Sequence, residues 1–132
     1  MSRELYPQGF DQAKRLVEEG RISDDPGDWH ELNPGTEAQD AFIEEHGVQA
    51  WGLWHLAYRP EDDPDTKEAY GFPYGNYQTV AREGVLAAES RARQFGYREI
   101  AEAALELLKL IDAKLGIDRP LPTGAGDEHD WA

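Results

Sequence analysis

Apolar positions in the C-terminal half recur with clear helical spacing. Ile100, Ala104, Leu107, Leu108, Ile111 and Leu115 share one face and predict a long helix that Gly116 ends. Val85, Ala88, Ala92 and Phe95 mark an earlier helix over 80–95, closed by Gly96. Alanine dominates that stripe, so the two helices are expected to approach closely as an antiparallel hairpin. Near the start, Phe10, Ala13, Leu16 and Val17 predict a first helix, with Gly20 at a left-handed C-terminal cap and Ile22 folding back on the last turn. Thr36-Glu37-Ala38-Gln39 reads as a capping box that opens a short helix through His46, with Phe42 and Ile43 inward and Gly47 as its stop.

The stretches between are less regular. Residues 23–35 read as a loop from their Pro-Gly and Asn-Pro-Gly punctuation, with Trp29 and Leu32 reaching back to the core. Val48 to Tyr58 fits two periods: Trp51, Trp54, His55 and Tyr58 at helical spacing, or Trp51, Leu53, His55 and Ala57 in alternation. The balance leans to helix. Residues 59–65 form an acidic turn, and Asp65-Thr66-Lys67-Glu68 is a second capping box opening one helical turn. Residues 69–79, with three Tyr, one Phe, two Gly and one Pro, read as an aromatic hairpin or extended loop. The fold class expected is mainly α, at the margin of α+β. A single helical domain spans residues 1–116, and an acidic, Pro/Gly-rich mobile tail spans 117–132.

Composition narrows the functional classes. The 132 residues include 27 acids, 13 Lys or Arg and no Cys, for a net charge of −14. Lacking Cys, the chain has no thiol nucleophile, disulfide or Cys-based metal site. The charge disfavours grip on nucleic-acid phosphates or anionic membranes. It is also uneven: residues 23–69 hold thirteen acids against Arg59 and Lys67, while 1–22 and 70–116 are each neutral. The opening MSRELYPQGFDQAK lacks an apolar signal core, and no apolar run is long enough to span a bilayer, so a cytoplasmic protein is expected.

Candidate chemistry is sparse. His30, His46, His55 and His129 include no pair at helical ligand spacing, so no metal or cofactor is expected. The acids at 61–65 lack the residue order of a calcium loop. Ser90 sits mid-helix without the strained turn that lifts a nucleophilic serine. Arg91 flanks the apolar stripe; it suggests either a pair with an acid of the 61–68 turn or an anion site. Glu89 and Arg93 have the spacing of an exposed pair. A speculative ligand or anion site therefore combines His55, Arg91, Tyr74 and Asp65, with no catalytic set. The aromatics either form the core or leave an interaction surface built from Trp54, Tyr58, Phe72, Tyr74 and Tyr77.

Three stretches, FDQAKRLVEEGRI (10–22), GLWHLAY (52–58) and DPDTKEAYGFPYGNYQTVAREGVLAAESRARQFG (63–96), resemble a group of small uncharacterised bacterial proteins, some with phage-associated segments. The shared features are a Trp-His-Leu segment, an Asp-Thr-Lys turn, a Tyr-x-Phe-Pro stretch and a helix end reading Ser-Arg-Ala-x-Gln. The resemblance implies a shared architecture and brings no activity. The leading expectation is a non-catalytic interaction protein, self-associating as a homodimer or binding another protein. Alternatives are a small-molecule or anion site near His55 and Arg91, and an acidic decoy of DNA.

Overall fold

The computed structural model describes residues 3–24 and 36–117. The expected contribution of Trp29 and Leu32 and the expected C-terminal tail lie outside these residues, the tail except for Ile117. Among the described residues the protein is mainly α with some β. In chain order it runs β1 (Glu4–Leu5), α1 (Pro7–Glu18), β2 (Ile22–Ser23), α2 (Thr36–His46), α3 (Val48–Gly52), β3 (His55–Tyr58), a 3-10 turn (Lys67–Ala69), β4 (Tyr70–Pro73), β5 (Val80–Ala81), α4 (Arg82–Gln94) and α5 (Arg98–Leu115).

Helix α1 begins with Pro7 in the first helical position, where a missing N–H costs nothing. It ends as its glycine predicts. Gly20 has φ +77°, its N–H bonds Val17 O, and the Arg21 N–H bonds Leu16 O at 2.9 Å. Gly96 closes α4 by the same pair of bonds, to Arg93 O and Ala92 O. At the end of α5, Gly116 has φ +70° and the Ile117 N–H reaches Asp112 O. Helices α4 and α5 form the expected antiparallel hairpin, with Val85, Ala88 and Ala92 buried against Ile100, Ala104, Leu107, Leu108 and Ile111.

Residues 48–58 divide where a continuous helix was expected. Val48–Gly52 is one short helix, and His55–Tyr58 is the centre of an antiparallel sheet ordered β1-β3-β4. The registers are Leu5↔Ala57 on one side and Ala57↔Gly71 on the other. Each of the two periods is real over half of the segment. The pairing that fixes the second half comes from residues about fifty positions upstream and fifteen downstream. Val80 and Ala81, expected in the following helix, instead pair in parallel with Ile22 and Ser23.

The core lies between the hairpin, α1 and β3, and includes Leu56 and Tyr74. A smaller cluster gathers Trp51, Ala69 and Tyr70. Contact between α1 and β3 is so close that a Cβ on Gly9 would overlap the His55 carbonyl oxygen. Alanine normally favours a helix over glycine by about 1 kcal/mol. Here Gly9→Ala is expected to destabilise by about 2 kcal/mol, because helix and strand must separate to admit the methyl. Urea unfolding measures this; an unchanged or raised midpoint would contradict the packing.

Candidate functional site

The four residues of the speculative ligand site do not come together. His55 is 4% exposed, and its Nδ1 lies 3.1 Å from Trp51 O. A carbonyl only accepts, so Nδ1 carries the hydrogen and Nε2 the lone pair. Burial pushes the His55 pKa down to about 4, which keeps the ring neutral at neutral pH. Tyr74 is fully buried, donates to Leu53 O at 2.7 Å and accepts from Gln12 Nε2 at 3.2 Å. Burial raises its pKa strongly. Asp65 lies on an exposed turn, where it accepts from Gln49 Nε2 at 3.0 Å. Arg91 is exposed on α4, and its guanidinium stands 5.9 Å from the Phe95 ring centroid.

Arg91 therefore does not turn inward to the 61–68 turn. Among the described residues the buried arginine is Arg82, whose Nε and Nη2 reach Asp112 Oδ1 and Oδ2 at 2.7 and 2.9 Å. This bidentate pair raises the Arg82 pKa and joins the first residue of α4 to the last turn of α5. Thirty positions separate the partners, beyond the reach of any local spacing rule. Within the turn, Asp63 Oδ1 accepts the Asp65 N–H, the Asp63 main-chain carbonyl accepts the Thr66 hydroxyl, and Asp62 lies 3.9 Å from Arg59 Nη1. Glu89, expected on an exposed face, is fully buried, with Arg93 Nε at 3.2 Å from its Oε2.

The expected aromatic surface is mostly interior. Trp54 and Tyr74 are buried and stack at 5.6 Å, while Tyr58, Phe72 and Tyr77 are half-buried. Tyr77 packs on Phe42 at 4.6 Å and accepts from Trp51 Nε1 at 2.9 Å. Burial pushes the Tyr70 hydroxyl up to about 12, with Tyr6 adding to the effect. Of the five expected surface aromatics, Phe72 alone also lines the groove described next. His55 contributes, with Trp51, Trp54 and Tyr77, to a cavity of only about 40 Å³.

A groove of about 450 Å³ lies instead between the end of β4 and the outer face of α4. Phe72 and Pro73 form one wall, and Ser90, Arg91, Gln94 and Phe95 the other. Phe95 is 59% exposed, although its spacing assigns it to the buried stripe. It occupies the helix-terminating position ahead of Gly96, where helical phase no longer sets its direction. That glycine stop was the available signal. Phe72 adopts φ +63°, rare for a bulky side chain. Its ring meets Tyr97 at 5.9 Å, and Tyr97 meets Phe95 at 6.3 Å, so Tyr97 links the two rings that line the groove.

Among the described residues no three His, Asp or Glu side chains gather as a metal site. No described helix is long and apolar enough to cross a membrane. Comparison with protein-family models, with curated proteins and with solved structures finds no match to this chain.

Proposed function

We propose that this protein is a non-catalytic binding protein whose working surface is the groove between β4 and α4, and that the groove takes a short segment of another protein. The observation that carries this reading is an exposed Phe95 beside a concavity within the size range of ligand sites. The candidate reactive groups, by contrast, serve the interior: His55 and Tyr74 each donate to a main-chain carbonyl inside the fold. Self-association through the same face is the second reading, in which a two-fold contact pairs this patch with its own copy. The proteins that the sequence resembles bring no activity to weigh against this.

The test is a titration of isotope-labelled protein with short acidic, basic and neutral peptides, each carrying a central Phe. At least one class is expected to shift the amides of Ser90, Arg91, Gln94 and Phe95 saturably, and Phe95→Ala is expected to weaken that binding. If no class perturbs these amides at millimolar peptide, the reading fails. Light scattering on the free protein at the same concentrations is expected to give the mass of one chain; a mass of two chains that Phe95→Ala halves would replace the proposal with self-association.

A further inference from the structure

Resting on the groove as the binding surface, we infer that its partner is an acidic protein segment in which a carboxylate stands beside a bulky apolar side chain. The first argument is charge. Among the eight residues that line the groove, Arg91 is the only charged one, in a chain of 27 acids and 13 Lys or Arg. Residues 23–69, with thirteen acids against Arg59 and Lys67, repel an acidic segment, whereas Arg91 attracts one to this face.

The second argument is the state of Arg91. Its guanidinium lies 5.9 Å from the Phe95 ring centroid, and among the described residues no carboxylate lies within ion-pair distance of it. A guanidinium poised on an aromatic face keeps its planar fork for a bidentate carboxylate. The third argument is the pairing of that fork with an apolar wall. Phe72 and Phe95 line the groove together with Ala87 and Ala88, and both rings also pack on Tyr97. A carboxylate on Arg91 thus places the neighbouring side chain of the same segment against flat hydrocarbon. The Ser90 hydroxyl and Gln94 amide, both at exposed positions lining the groove, offer hydrogen bonds to the segment's main chain.

The experiment uses the full chain and three synthetic probes: acetyl-Asp-Asp-Phe-Asp-Asp amide, the same peptide with Ala for Phe, and the same peptide with Lys for Asp. The acidic Phe peptide is expected to bind the groove at least tenfold more tightly than either of the others. Arg91→Ala is expected to lower its affinity about tenfold, Arg91→Glu to abolish binding, and Arg91→Lys to give an intermediate loss. Raised salt should weaken binding in the wild type and have little effect in Arg91→Ala. Equal or tighter binding of the Lys peptide at the same amides overturns the acidic preference and leaves the groove as a binding surface. Equal binding of the Ala peptide overturns the apolar half of the inference. No groove shift with any of the three removes both this inference and the proposed function. Arg91 and Phe95 are exposed, so these variants are expected to keep the wild-type fold, which circular dichroism checks.

Discussion

Replacing Arg82 with Ala is expected to lower the stability of the protein by about 3–5 kcal/mol, the usual cost of stranding one member of a buried ion pair. Arg82 and Asp112 are 3% and 8% exposed, so solvent has little access to either charge in the fold. Asp112 would be left with two oxygens that now accept from Nε and Nη2. For a chain of this size the loss corresponds to a fall in Tm of roughly 10 °C or more. Asp112→Ala should act similarly, leaving the guanidinium as the stranded charge. The informative comparison is the double variant Arg82→Met, Asp112→Leu. It removes both charges and fills their volume, and is expected to recover most of the loss. A double variant as unstable as the two single ones combined would show that the pair acts through something other than mutual compensation.

Acidification is expected to cost about 3 kcal/mol through His55 alone. Its pKa is held at about 4 in the fold, mainly by burial, with Arg3 adding a smaller push in the same direction. In the unfolded chain the ring titrates near the ordinary value of about 6.5. Between these limits the unfolded chain binds more protons than the folded one, so stability rises with pH across the window. The contribution is complete above about pH 6.5 and is lost as pH falls to about 4. Urea unfolding at neutral pH and at pH 4.5, for the wild type and for His55→Gln, isolates the effect from that of the carboxylates. The wild type should lose more stability than the variant on acidification. Equal losses would mean that the ring is protonated in the fold.

Much of this architecture is legible in the sequence, and the legible part is local. Three helix ends follow from Gly20, Gly96 and Gly116, because a left-handed cap depends on a few neighbouring residues. The hairpin of α4 and α5 follows from two apolar stripes and the short link between them. What was not legible depends on partners far along the chain. His55–Tyr58 is a strand because β1 and β4 hydrogen-bond to both of its sides, and Val80–Ala81 is a strand because Ile22–Ser23 lies alongside. Arg82 is the buried arginine, rather than Arg91, because α5 returns Asp112 to the start of α4. The candidate site was read least well. His55, Tyr74, Arg91 and Asp65 are the right residue types for a site, but composition cannot tell that two of them are enclosed and two are exposed. Arg91 and Phe72 are candidates in the sequence and both line the groove, but their juxtaposition is not legible there, and Phe95 carries the spacing of a core residue and the position of a cap.

Helix α2 supports the fold differently from the others. None of its residues is fully buried; Phe42 and Ile43 rest against the aromatic cluster, and Asp40 meets Lys67 at 2.9 Å. Opening this helix therefore exposes little that the core needs, and its amide hydrogens are expected to exchange with solvent well ahead of those in α4 and α5. Such a segment is expected to open before the domain does, with Phe42 leaving its contact with Tyr77. Glu37, Asp40, Glu44 and Glu45 travel with it. The most acidic of the described helices is thus expected to open while the α4–α5 hairpin stays folded.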